Sequence, residues 1–462
     1  MYHYFDDPEP DYDSSLACAV ASCRWKGFSL DLEKIRDLRE EALSNVDRQL
    51  IDPRRARKYI TGAMDEFQLD EFNENIQSTD KNSLEILSNW KGCCEYCEEG
   101  CDKCPDSEVA RRAKEVIASR KWKNKALTYG KLELGGRFHP SFRIIGTKSS
   151  RMSGSDKFNP QGIDRSDEMR SCFLLHDEDS TLMGGDFEGF ELTIADAVYQ
   201  DPTWHQMLLT DRKHHAVFGA ELYGKTYEEI MDRSNGLYNS SKAGFFQLIY
   251  GGTADGMTYK LGINIKQTQK AEKKFFKDYP KILERREELY KQFKPLKNGK
   301  WTAPTRVIDS LFGHKRYFDL EFKICEFLYQ MSNNMPFESE VFCERVEGRR
   351  QLVTNALQSA LHGAIHGIQK KVARAAINHE IQCPGACATK MVQNELWQLQ
   401  PYGINDWVVQ PLNIHDEIPC VVYQGKEELV RETVYRKINE LKETIPLLRM
   451  NWGAGSNWKD IH

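Results

Sequence analysis

The chain contains no run of eighteen apolar residues, which excludes a helical membrane span. Its start, Met1-Tyr2-His3-Tyr4-Phe5-Asp6-Asp7, lacks the basic-then-apolar order of a secretion signal. There is no internal repeat and no low-complexity tract, so repeat and fibrous architectures are set aside. Charge is not strongly biased: 64 Lys and Arg against 69 Asp and Glu leave a net −5, which does not advertise nucleic-acid binding. The 13 cysteines, an odd number without an export signal, argue for reduced thiols or a metal site rather than a disulfide framework. These absences together predict a cytoplasmic protein with no membrane partner.

What is present is a chain of 462 residues with 40% apolar and 29% charged side chains, enough for two or three subdomains with their own cores. The first fifteen residues are acidic and contain proline, and read as a tail. From Leu30 to about Leu87 the pattern is helical, with Asp31 as N-cap. The run from Arg111 to Lys131 carries eight basic side chains and one acid, a patch that a solvated helix face or a phosphate backbone would both explain. Residues 138–163 are rich in Gly, Ser, Pro and Asn and read as a long loop. Short strands are predicted at Cys172-Phe173-Leu174-Leu175 and Thr181-Leu182-Met183, then a helix from about Phe190 to Val198. Residues 203–345 are mostly helical, and helices are expected from about Arg350 to Asn378 and from Lys426 to Glu443. Strands in two separated blocks imply one sheet interrupted by a helical insert.

The chemistry starts with acids at strand ends. Asp186 closes the apolar run Leu182-Met183-Gly184-Gly185, and Asp416-Glu417 sit in Asn413-Ile414-His415-Asp416-Glu417-Ile418, between two apolar arms of a hairpin. Two strand-end aspartates brought together suit a two-metal phosphoryl-transfer site, because each Mg²⁺ takes hard oxygen ligands and keeps positions for phosphate. Between them lies Ser241-Lys242-Ala243-Gly244-Phe245-Phe246-Gln247-Leu248-Ile249-Tyr250-Gly251. On a helix Lys242, Phe246 and Tyr250 share a stripe, a cation followed by two rings, which could hold a nucleotide or belong to an ordinary core.

In that order these segments resemble motifs A, B and C of the family A DNA polymerases, the bacterial polymerase I-like enzymes and their phage relatives. The resemblance covers roughly residues 28–462. Supporting segments fall in sequence: Thr147-Lys148-Ser149-Ser150-Arg151-Met152-Ser153 with Asn159-Pro160-Gln161, His215 ahead of Leu222-Tyr223-Gly224, Gly313-His314-Lys315-Arg316-Tyr317, and Arg350 with Asn355-Ala356-Leu357-Gln358. The resemblance implies an α+β right-hand polymerase, with an antiparallel-sheet palm and helical fingers and thumb. The divisions it implies are a thumb with its base over 16–150, a first palm part over 151–202, fingers over 203–345 and a second palm part over 346–462.

It also implies roles. Asp186 and Asp416 would bridge two Mg²⁺ ions with the Phe187 carbonyl as a further oxygen, and Glu417 would be the adjacent third acid. Lys242 and His215 would meet the triphosphate, Phe246 the sugar, and Glu191 with Tyr250 would exclude a 2′-hydroxyl. Arg151, Arg350, Asn355, Gln358 and His415 would contact DNA. The implied partners are primer-template DNA and dNTPs in phage replication, inside a bacterial host cell, with a separate exonuclease or processivity factor. The implied alternatives are a single-subunit RNA polymerase and a non-catalytic primer-template binding protein. The chain departs from the family at Tyr238, where an Arg is usual one turn before the motif B Lys; Arg233 is expected to face elsewhere. No room is seen for a 3′–5′ exonuclease domain.

The cysteines at Cys94-x₂-Cys97-x₃-Cys101-x₂-Cys104 interrupt the region that resembles the thumb. Four thiolates at this spacing suit a structural Zn²⁺, and an Fe–S cluster or plain thiols stay open. Cys383 and Cys387 read as a lesser pair of thiols, and His362 and His366 as packing or DNA-facing residues.

Overall fold

A computed structural model describes residues 12–90, 107–156, 158–293, 307–334, 343–346, 349–401, 407–423 and 425–461. The first helix, α1 (Tyr12–Lys26), begins inside the stretch expected as tail. Leu16 and Ala19 are fully buried, and Asp13 holds Lys390 at 2.6 Å, so residues 12–15 are packed structure. The N-cap at Asp31 starts α2 (Leu32–Ser44), its carboxylate accepting the Lys34 amide at 3.0 Å. Beyond α3 (Lys81–Leu87) runs the long α4 (Glu108–Gly135), capped by Ser107. Its buried stripe of Val109, Ala113 and Val116 packs on Phe72, Leu84 and Leu87 in a small separate core. The basic run lies on this helix. Arg111 and Arg112 pair with Glu108, Arg120 donates to the Thr79 carbonyl, and Lys121 and Lys123 are exposed.

The sheet begins with β1 (Ser180–Phe187), followed by α5 (Phe190–Tyr199) and a helical insert holding α6 (His214–Tyr223) and α7 (Leu237–Ile249). A small hairpin of β2 (Val307–Asp309) and β3 (Lys315–Tyr317) leads to α8 (Asp319–Asn333). Then come α9 (Val353–Trp397), β4 (Val409–Pro411), β5 (Cys420–Tyr423), α10 (Glu427–Leu441) and β6 (Met450–Gly455). The four strands pair antiparallel in the order β6-β1-β5-β4. Alternation along them divides the interior: Met183, Cys420 and Val422 join a core with the rings of the helical insert, whereas Leu182, Val421 and Tyr423 face a second core around Phe173 and Trp458. Both faces are covered, so the strands read as continuous apolar runs. The result is the expected α+β fold.

Two glycines let β6 and β5 close on β1 just before Asp186. A Cβ at Gly185 would lie 1.7 Å from the Asn451 carbonyl, and one at Gly184 2.5 Å from Ile461.

Three local expectations are corrected. Cys172–Leu175 is not a strand: Leu175 has φ +66° and makes a single bridge to Ser29, because buried Phe173 ties the segment to Phe138 and Trp458. The α9 helix does not stop near Asn378 but continues through Pro384 to Trp397, with Ile381, Ala388, Val392 and Leu396 buried in the main core. Packing there outweighs the amide lost at proline. Arg350 lies before that helix, in the strand Arg349–Leu352.

Candidate active site

Asp416 sits in a two-residue turn. The Ile414 amide donates to the Glu417 carbonyl at 3.0 Å, and the Glu417 amide to the Ile414 carbonyl at 3.2 Å, leaving His415-Asp416 as the loop. His415 has φ +64°, the left-handed value such a turn requires at its first position. Its Nε2 lies 2.7 Å from the Gln161 carbonyl, so that nitrogen carries the proton and pins the turn to the preceding loop. Burial holds the His415 imidazole below its ordinary pKa, and the Gln161 carbonyl partly opposes this. Glu417 is the bridge partner of Asp186, which brings the turn beside the end of β1.

Asp186 and Asp416 both line a cleft of about 670 Å³, together with Phe187, Glu191, His215, Lys242, Phe246 and His415. Glu417 does not. It is 3% exposed, and its two oxygens accept from Arg170 at 2.9 Å and from the Trp458 indole at 2.7 Å. Arg170 in turn lies 5.0 Å from the centre of the Trp458 ring. Expected among the catalytic acids, Glu417 is instead committed to a buried ion pair behind the turn, because the residue after the loop turns back into the sheet.

The opposite wall is α7. Lys242 lies 5.9 Å from the Phe246 ring centre, and Phe246 stacks on Tyr250 at 6.2 Å, so the stripe forms with Tyr250 as its C-cap. Burial first, and then the facing Glu191 carboxylate, push the Tyr250 phenol above its ordinary range, leaving it protonated as a donor. Glu191 also holds Arg151 at 3.5 Å. Burial, then the charge of Lys242, pull His215 down to about 4, so this imidazole is neutral at neutral pH. Tyr238 meets the His215 ring edge-on at 4.6 Å, and Arg233 lies 5.1 Å over Tyr238. Arg233 therefore does not face elsewhere. It sits on a short turn before α7 rather than on the helix, and folds back over Tyr238. The cleft also gathers Arg165, Arg212, Lys213 and Arg449, basic residues that carry no motif in the sequence.

Three expected DNA contacts are not brought here. Asn355 is exposed on the first turns of α9, Gln358 donates to the Ser332 carbonyl of α8 at 2.9 Å, and Arg350 lies on its strand. The same helix reaches the site further along, at Arg374, Asn378 and Gln382. Arg374 lines a second cleft of about 760 Å³ with Phe246, Gln247 and Tyr250, facing Asn82 and Glu85 of α3. Gln382 lies near the Tyr250 phenol, and the Tyr250 hydroxyl and Asn378 Oδ1 are both buried with no hydrogen-bond partner. Their spacing of four and four was the sequence signal available for this face. Cys94, Cys97, Cys101 and Cys104 lie outside the described residues.

No helix among the described residues is long and apolar enough to cross a membrane. Residues 106–460 match the family model described as DNA polymerase family A. The chain is 26% identical over 338 residues to a DNA polymerase I of Pseudomonas aeruginosa, covering 71% of this chain and 30% of that protein. It is likewise 26% identical over 281 residues to a DNA polymerase I of Aquifex aeolicus, covering 60% of this chain and 46% of that one. The chain thus spans less than half the length of these curated relatives. In fold it is similar to the POL domain of Pol1 from M. smegmatis, solved in complex with DNA primer-template and dNTP. That likeness has a TM-score of 0.64 at 18% identity, over 97% of this chain and 70% of that one.

Proposed function

Because the chain belongs to the family A DNA polymerases, we propose that it is a template-directed DNA polymerase that adds dNTPs to a primer 3′-hydroxyl. The observation that carries this reading is the meeting of Asp186 and Asp416 on one wall of a cleft whose other wall offers Lys242, His215 and Phe246. The donors on the palm wall fit Mg²⁺: two carboxylates and the Phe187 carbonyl are hard oxygens that leave positions for phosphate and water. Asp186 and Asp416 would hold two such ions. Bound there, Mg²⁺ supplies a lowered pKa at the primer hydroxyl and charge neutralisation at the triphosphate.

The chain's own groups do the rest. Lys242 and neutral His215 bind phosphate oxygens, and the Arg233-Tyr238 stack sets a guanidinium behind them where the family usually has an Arg on the helix. Phe246 packs against the sugar. Glu191, held between Arg151 and the Tyr250 phenol, closes the space a 2′-hydroxyl would need, which selects deoxynucleotides. The Arg374, Asn378 and Gln382 face replaces Arg350, Asn355 and Gln358 as the reader of the minor groove, whose acceptor pattern is nearly independent of sequence. Phage replication remains the proposed setting, with a separate exonuclease or processivity factor as partners and zinc at Cys94, Cys97, Cys101 and Cys104.

Primer extension with Mg²⁺ and dNTPs tests the proposal. The parent is expected to extend the primer, and Asp186→Ala to lose at least about 10³-fold in rate while still binding duplex. A parent that extends nothing, or an Asp186→Ala variant as fast as the parent, would overturn it.

A further inference from the structure

Behind the cleft, three donors from two distant segments converge. His314 lies in the β2–β3 turn, and Cys383 and Cys387 stand one helical turn apart on α9, on either side of Pro384. One ligand-type atom from each lies within 4.8 Å of the other two, and the two sulfurs are 4.0 Å apart. Both cysteines are buried, and His314 is half-buried. We propose that His314, Cys383 and Cys387 form a binding site for a thiophilic divalent cation of the zinc class.

The chemistry favours an ion over the alternatives. A tetrahedral zinc with Zn–S of ~2.3 Å and Zn–N of ~2.0–2.1 Å wants its donors roughly 3.5–3.8 Å apart. The sulfurs are nearly there, and the imidazole, within 4.8 Å, needs to move by no more than about an ångström to complete the set. Two thiolates and a dication are neutral together, so the ion removes the cost of buried charge. An intrahelical disulfide would leave the imidazole without a part in the cluster, and simple packing of two thiols would not call for one. Three protein donors leave the fourth position to water.

The site has a place in the architecture. His314 Nδ1 is 3.5 Å from the Ser150 hydroxyl, and Ser150, with φ +59°, immediately precedes the Arg151 that pairs with Glu191. An ion here joins the β2–β3 turn and the centre of α9, and sits behind the loop that carries Arg151.

The test compares zinc content and cobalt spectra of the purified full chain with those of Cys383→Ser/Cys387→Ser and of His314→Ala. The parent is expected to hold one more equivalent of zinc than the double variant, so any ion at Cys94–Cys104 cancels in the difference. The Co²⁺-loaded parent should show thiolate charge-transfer absorption that the double variant loses in part. His314→Ala alters a half-buried turn residue and leaves both thiols in place. It should weaken this equivalent by about 100-fold or more while circular dichroism is unchanged. Equal zinc content and superimposable cobalt spectra in all three proteins would overturn the site. So would a Cys383–Cys387 disulfide that forms equally well with and without zinc.

Discussion

On the sheet side of the cleft, Asp186 and Asp416 are placed by backbone hydrogen bonds: a strand register with Asn451 and Glu417, and a two-residue turn closed at both ends. On the helical side, Lys242, Phe246 and His215 ride on α6 and α7, which are held by ring packing. Trp204 stacks on Phe245 at 5.6 Å, and Phe218 and Phe275 each meet Phe245 at 5.7 Å. Directional bonds fix a distance, whereas apolar contacts fix a volume and tolerate sliding. Under the proposed function, the acids that must keep one geometry are on the first wall, and the groups that must admit and release a nucleotide are on the second.

The comparison breaks most visibly at the turn. Asp416→Ala should cost about 10³-fold or more in extension rate with the melting temperature nearly unchanged, since its carboxylate serves the cleft. Glu417→Ala should do the reverse. It strands the buried Arg170 and should cost on the order of 3–5 kcal/mol of stability, read by denaturant unfolding. On the other wall, Lys242→Ala should raise the dNTP KM by roughly tenfold to a hundredfold with a smaller change in kcat, because a phosphate contact is made in ground and transition states alike. The smallest effect should be in acid. His214 and His215 are both held near 4 by burial, against 6.5 when exposed, so the unfolded chain binds their protons first. Stability should therefore fall as pH drops from about 6.5 toward 4, and His215→Gln should flatten that slope in thermal melts.

Sequence made single residues on both walls legible, and the partners that hold them less so. Asp186, Lys242, Phe246, Tyr250 and Asp416 belong to short contiguous segments, where spacing alone places them on a strand end, a helix stripe and a turn. The sequence set Glu417 beside the site as a lesser acid but could not show which side of the turn its carboxylate takes; its partners, Arg170 and Trp458, come from elsewhere in the chain. Arg350, Asn355 and Gln358 were taken from the resemblance, with the helix expected to end near Asn378, so Arg374, Asn378 and Gln382 further along it were not considered. Only the burial of its second half shows why it continues. The Arg233 stack was hidden for a related reason: helical arithmetic was applied across a residue, Gly236, at which the helix had not yet begun.

The register of β1 has a consequence for the order of events at the ribosome. Asp186 emerges early, but the strands that flank it are residues 420–423 and 450–455. Residues through 455 must be present before that carboxylate acquires its neighbours, and pairing over such separations is slow to nucleate. Under the proposed function, a chain cut before β6 would keep the Lys242, Phe246 and Tyr250 stripe and lack the strand that pairs with Asp186.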